Sequence, residues 1–322
     1  MFITKTALPS YPIEVGHPDI SHLKNGNTGV DYVHRLTSGA PGPVILLNAL
    51  MHGNEYSGAV VLSNLLKKGL KPTCGTWILS FSNVAAFQTF DPKDPDKSRF
   101  LDMDMNRVWT EEKLSAKSDI REVKRARNLI PFIKEADFFL DLHSMHEACE
   151  PMMVTGTTQR AYEFAKRMGY PRVLMRDEGH ADGKRLIDYG DFVNPEKAAI
   201  GLLIEAGHHW SVKSVENSEH TLYRFLATTG TLSNHSIPPQ YQEKVSQVEV
   251  SVSNRCVAQT QDVQFAQNWL GMEVIKEKET IIASDSGEPV KTPFSNCVLV
   301  MPSLRHVMPG VTFVRLGTLK EI

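Results

Sequence analysis

Four short apolar runs, each giving way to polar residues, constrain this chain more than any other feature. They are PVILLNAL at 43–50, TWILSFSN at 76–83, DFFLDLHS at 137–144 and GLLIEAG at 201–207. Rich in β-branched, leucine or aromatic residues and bounded by polar loops, they read as buried strands. Between them the period changes. AVVLSNLLKKGL (59–70), REVKRARNLIPFIKEA (121–136) and AYEFAKRMG (161–169) repeat apolar residues at helical spacing, the first with Gly69 near its end. The charged stretch REVKRARN is expected to form a solvated helix face. Strands alternating with helices predict an α/β fold with a parallel or mixed central sheet.

The style shifts near Ser236. HSIPPQYQ carries two adjacent prolines and reads as a linker, and beyond it come short alternating runs such as VEVSVS, TIIASD, NCVLVMPS and VTFVRLG. Turn residues separate them, and the one candidate helix is VQFAQNWLG (263–271). The expected organisation is an α/β domain over 1–238 and a small β-rich domain over 239–322.

Composition removes several function classes. A formal net charge of -2 argues against a nucleic-acid partner held by a basic face. No run of about 18 apolar residues is present, so no membrane span is expected. The N-terminal stretch MFITKTALPSYPIEVGHPD lacks the apolar centre of a secretory signal, which makes a cytoplasmic enzyme the expectation. Cys74, Cys149, Cys256 and Cys297 form no CxxC pair, so neither a disulfide framework nor a thiolate zinc site is expected. A metal here has to be held by His and carboxylate.

The chemistry sits where the apolar runs end. His52-Gly53-Asn54-Glu55 follows the first run, and a turn between His and Glu three apart can bring both to one ion. Alone, that tetrapeptide reads more readily as a polar loop with no ligand. His143 closes the third run, and the carboxyl ends of α/β strands are where sites form. His52, Glu55 and His143 together make the three-ligand set of a catalytic zinc, with a fourth position left for water. In Asp104-Met105-Asn106-Arg107, the adjacent Asn106 and Arg107 can fork a substrate carboxylate. Asp104 can hold the free ring nitrogen of a zinc-bound His. Glu205 lies at the end of the fourth run, where a carboxylate is costly unless paired or used. It is placed to take a proton from water and pass it to a leaving nitrogen. His146 is expected in a solvated or supporting role, and His208 and His209 as packed or surface residues.

Taken in order, His52-x-x-Glu55, Asp104-x-Asn106-Arg107, Asp141-Leu142-His143 and Ile204-Glu205-Ala206-Gly207 resemble the aspartoacylase and succinylglutamate desuccinylase family, part of the wider zinc carboxypeptidase-like group. Arg99-Phe100-Leu101-Asp102-Met103-Asp104-Met105-Asn106-Arg107 resembles that family's Arg-aromatic-aliphatic-Asp-x-Asp-Leu-Asn-Arg stretch. The resemblance implies a zinc carboxypeptidase-like mixed sheet flanked by helices, followed by a small all-β domain. It also implies one Zn2+ on His52, Glu55 and His143, a carboxylate grip by Asn106 and Arg107, and Glu205 as general base and acid. The sequence departs from the pattern in places. Ser82-Asn83-Val84-Ala85 stands where an Asn-Pro-Arg turn is found, so a carbonyl-polarising Arg is absent at Ala85, and Arg99 is the candidate substitute. Glu205 is followed by Ala-Gly-His-His rather than Val-Gly-Pro. Tyr241 is the last tyrosine, so no substrate-binding Tyr lies deeper in the C-terminal region.

The reading is a zinc-dependent deacylase acting on the amide bond of a small, carboxylate-bearing N-acyl amino acid or analogue, with homo-oligomerisation left open. Its rivals are a metallocarboxypeptidase with the same zinc set and a non-catalytic binding protein that keeps the fold. The latter predicts loss of a ligand or of the base, and this chain retains all four residues.

Overall fold

The computed structural model describes residues 9–180, 183–305 and 307–322. The stretch considered for signal character begins in residues 1–8, outside the described residues. The first elements are β1 (Val33–Thr37), β2 (Val44–Ala49), α1 (Ser57–Lys67), β3 (Thr76–Phe81), α2 (Val84–Phe87), α3 (Glu111–Ser115), α4 (Arg121–Lys134) and β4 (Phe138–Met145). They are followed by β5 (Met152–Val154), α5 (Gln159–Met168), β6 (Val173–Arg176), β7 (Ile200–His208) and α6 (Val212–Thr228). The remainder is β-rich: β8 (Val248–Val257), β9 (Val263–Phe265), β10 (Val274–Ile275), β11 (Ile281–Asp285), β12 (Glu288–Lys291), β13 (Cys297–Val300) and β14 (Thr312–Glu321).

All four apolar runs form strands at the centre of one mixed sheet, in the order β1-β3-β2-β4-β7-β5-β6-β8-β14-β13-β10. The pairs β3-β2, β2-β4 and β4-β7 are parallel, as the helical crossovers require. Helices α1, α5 and α6 bury one face against Ile45, Leu47 and Leu140. Val123, Ala126, Leu129 and Phe132 of α4 bury the other against Leu46, Ile78 and Phe139. Both faces are covered, which is why these strands lack polar alternation. The intruding Asn48 is satisfied. Asn48 donates to Asp141 Oδ1 at 2.7 Å and accepts from the Ser80 and Ser82 hydroxyls at 2.6 Å, stitching β3, β2 and β4 together.

The β-rich C-terminal run is as expected, and β8, β14, β13 and β10 join the same sheet. β8 pairs in parallel with β6, from Val173↔Val248 to Arg176↔Ser251, and β14 and β13 follow it. A separate antiparallel sheet, β12-β11-β9, closes a second core around Phe265, Ile282, Leu299 and Phe313. VQFAQNWLG is not a helix. Its first three residues are β9, because β11 offers them a partner through Ala283↔Phe265 and Asp285↔Val263. The α4 face is not wholly solvated either. Glu122 is fully buried and accepts backbone N–H groups of Leu101, Asp102 and Met103, so it holds the segment that leads into Asp104–Arg107. The four cysteines are unpaired. Among the described residues, no helix is long and apolar enough to cross a membrane.

Candidate active site

The parallel strands deliver their polar residues to one end of the sheet. The chain leaves β2 through Leu50, whose φ of 60° is uncommon for a bulky residue. The turn is held by Ser82 N–H on Ala49 O and Asn83 N–H on Leu50 O. His52 follows, then Gly53, where a Cβ would lie 2.3 Å from Ser98 O and 2.4 Å from Phe87 N. Only glycine fits that contact. Glu55 comes just before α1. Its Oε1 is 2.8 Å from His52 Nδ1 and its Oε2 is 2.9 Å from His143 Nδ1 and 3.2 Å from Ser144 N. The donor atoms of His52, Glu55 and His143 form one buried cluster that can hold a metal ion.

The outward nitrogens of both histidines meet aspartates. His52 Nε2 lies 2.9 Å from Asp104 Oδ1, and His143 Nε2 lies 2.9 Å from Asp141 Oδ2, the latter at ion-pair range but out of hydrogen-bond alignment. At His52 the Asp104 carboxylate can hold the proton on Nε2 and leave the Nδ1 lone pair for a cation, while at His143 the Asp141 charge stands beside Nε2. The charges agree with that fit. Burial pushes the Glu55 carboxyl up, but His52 and His143 outweigh it and hold it well below the usual range. Burial lowers His143, and Asp141 and Glu55 more than reverse this. Three carboxylates gathered around two imidazoles are an environment that favours a dication.

Glu205 sits in register beside His143 on the neighbouring strand. Its Oε2 is buried without a hydrogen-bond partner. Burial, then the charge of Glu55, pushes its carboxyl up to about 8. Arg99 reaches the same cluster, with Nη1 2.9 Å from Glu55 Oε1 and Nη2 3.0 Å from His52 Nε2 and 3.3 Å from Asp104 Oδ2. Ala85, by contrast, is an exposed residue of α2. Asn106 is buried, and its Oδ1 accepts from Leu186 N–H at 3.0 Å. Arg107 lines the same cavity of about 580 Å³. All eight residues singled out in the sequence therefore meet: His52, Glu55, Arg99, Asp104, Asn106, Arg107, His143 and Glu205.

Several cavity residues carry no sequence signal. Arg185 is buried and held by Asp177 at 3.0 Å and Asp188 at 2.7 Å. Arg315 comes from β14, is 6% exposed, and donates from Nη2 to His180 Nε2 at 2.9 Å. Burial, then the Arg315, Arg107 and Arg185 charges, drives His180 well below its ordinary value, so it is a neutral acceptor. Nothing in the alternation of VTFVRLG marks Arg315 as a cavity residue. His146 also lines the cavity, while His208 and His209 are buried.

The profile described as the succinylglutamate desuccinylase/aspartoacylase catalytic domain matches residues 41–229. This chain belongs to the succinylglutamate desuccinylase/aspartoacylase family. That family comprises metal-dependent deacylases, and the His52-Glu55-His143 cluster is consistent with its metal site. No curated protein matches the chain in sequence. The fold is shared with succinylglutamate desuccinylase from Vibrio cholerae, at 15% identity and a TM-score of 0.66 over 91% of this chain and 86% of that one. The enzyme of the same name from Chromobacterium violaceum aligns at 16% identity and 0.63, over 91% and 90%. A product-bound ectoine utilization protein from Ruegeria pomeroyi aligns at 16% identity and 0.65, over 89% and 88%.

Proposed function

We propose that this protein is a zinc-dependent deacylase that hydrolyses the amide bond of a small N-acyl amino acid or close analogue. The observation that carries the reading is the convergence of His52 Nδ1, Glu55 and His143 Nδ1 with Glu205 directly beside them in register. The donor set of nitrogen and oxygen suits Zn2+. When bound, that ion supplies Lewis acidity and makes water a competent nucleophile near neutral pH.

The remaining steps belong to the chain. Glu205 takes the proton of the attacking water and delivers it to the leaving nitrogen. Its place in register beside His143 suits both halves of that task. Arg99, with its guanidinium at the ligand cluster, polarises the substrate carbonyl and steadies the developing oxyanion. Asn106 NH2 and the Arg107 guanidinium grip a substrate carboxylate, and Asp104 holds His52 Nε2. Arg185 and Arg315 add positive charge to the same cavity, which favours anionic substrates.

A peptide-cutting metallocarboxypeptidase needs an open groove. Here Met301, Ser303, Arg305, Met308, Val311 and Thr312, all from the C-terminal region, wall the cavity, which supports a small substrate instead. The test is Glu205→Gln. Turnover on the best substrate from a panel of N-acyl amino acids should fall by roughly 100- to 10,000-fold while zinc content stays unchanged. Turnover within a factor of about three of the unaltered protein, well short of that range, refutes the mechanism. Loss of zinc together with turnover makes Glu205 a ligand. Short peptides cleaved better than N-acyl amino acids favour the carboxypeptidase reading.

A further inference from the structure

We propose that Asp96, His146 and His209 form a second divalent-cation site in the wall of the same cavity, beyond the single ion that the deacylase reading requires. Their donor atoms converge as a group that can hold a metal. His209 Nε2 is 3.3 Å from His146 Nδ1, and His146 Nδ1 is 3.2 Å from Asp96 Oδ1. Metal bonds of about 2.0–2.1 Å to nitrogen and oxygen give a tetrahedral edge of roughly 3.3 Å, so two of the three spacings already match a coordination polyhedron.

The site is built, not gathered by chance on a surface. His209 is 1% exposed. Its backbone N–H is tied to Met145 O at 3.0 Å, and its Nδ1 meets the Ser144 hydroxyl at 2.8 Å. That contact directs Nε2 to the cluster, as an outer-shell partner does for a ligating imidazole. The irregularity in the β4-β7 register between His143 and Met145 sets Met145 opposite His208, so His146 and His209 emerge side by side, with ring centroids 4.7 Å apart. Asp96 comes from the short turn that also carries Arg99, and its Oδ1 accepts from Asn54, the neighbour of Glu55, at 3.3 Å. Arg305 approaches Asp96 Oδ2 at 3.8 Å but is paired through Nε with Glu147 at 2.9 Å. Asp96 and His146 line the cavity, which gives a cation its way in.

The two clusters meet at Ser144. Its N–H lies on Glu55 Oε2 and its hydroxyl on His209 Nδ1. A borderline cation is the class that a two-imidazole, one-carboxylate set selects, and Zn2+ is the probe. The full-length protein is loaded with Zn2+, stripped of loosely held metal with a weak chelator, and assayed for metal by elemental analysis. The unaltered protein should hold about two equivalents by this ligand count, and His146→Ala and Asp96→Asn about one each. His143→Ala should also lose one, and Co2+ substituted into it should retain the absorption bands missing from His146→Ala. Both His146 and Asp96 sit on the cavity wall rather than in the core, so these variants should keep the fold, which circular dichroism checks. A single equivalent in the unaltered protein, or two retained in either wall variant, overturns the proposal. Turnover of Glu205→Gln tests the deacylase reading independently of this count.

Discussion

Replacing Glu205 by Gln should make the metal-free protein more stable, and increasingly so as pH rises. The cause is the position of Glu205 beside His143, with burial and the Glu55 charge raising its carboxyl from 4.5 to about 8. A raised carboxylate pKa means that the folded state holds a proton that the unfolded chain has released. Between about pH 4.5 and 8 the unfolded state therefore gains stability at up to about 1.4 kcal/mol per pH unit. Below that window Glu205 costs nothing, and above it the cost is constant. Taken in full, the shift corresponds to roughly 3–4 kcal/mol between about pH 5 and pH 8.5. One carboxylate oxygen is buried without a partner, but the side chain as a whole faces the cavity and is only partly buried. Cavity water reduces the penalty, and we expect about 2 kcal/mol. Urea unfolding of chelator-treated protein, Glu205→Gln against Glu205, measures it at both pH values. Glu55 and Asp104 titrate in both proteins and largely cancel in the difference. A stability difference that is the same at both pH values would falsify the burial argument.

Asp104→Asn keeps the shape but removes the charge on His52 Nε2 and on Arg99, so zinc affinity measured by chelator competition should fall by roughly 10- to 100-fold; unchanged affinity would remove Asp104 from the support of the ligand. Arg107→Lys should lower kcat/KM on carboxylate-bearing substrates, because an ammonium cannot reproduce the planar fork; identical kinetics would exclude it from the site. Gly53→Ala places a methyl 2.3 Å from Ser98 O and 2.4 Å from Phe87 N, both backbone, so metal retention and Tm should drop together. A Gly53→Ala protein that holds zinc normally shows that the loop has slack which these contacts deny.

The ligand cluster was legible because a buried strand announces itself, and its first polar residue then has few places to be. His143 in DFFLDLHS and His52 after PVILLNAL are such residues. Glu205 stood out for the same reason. Elements that hide their pattern were not legible. α6 escaped the periodicity because its buried side includes Ser214, Asn217, Ser218 and Thr221, of which Ser214, Asn217 and Ser218 find side-chain hydrogen-bond partners in the folded protein. β9 escaped because its partner lies in β11, supplied by tertiary structure rather than by its own residues. Arg315 sits in an ordinary alternating strand, and only the route of β14 through the sheet brings it to the cavity. The departure at Ala85 pointed to a missing cation, and Arg99 stands at the ligand cluster instead. Sequence spacing alone could not decide that, since it records the order of residues and not which turns fold back on one another.

The seam between β6 and β8 has a practical consequence for anyone who would divide this protein at its Pro-Pro linker. The four-residue parallel register from Val173 to Arg176 pairs that edge of the α/β half with β8. Severing the chain at 238 strips a row of backbone donors and acceptors and leaves Val173, Leu174 and Met175 on an open edge, a template for pairing with any other strand nearby. The same cut removes the cavity wall from Met301 to Arg315. The product would be a self-adhesive sheet with an open basin rather than a smaller hydrolase, and its expected fate in solution is aggregation rather than altered selectivity.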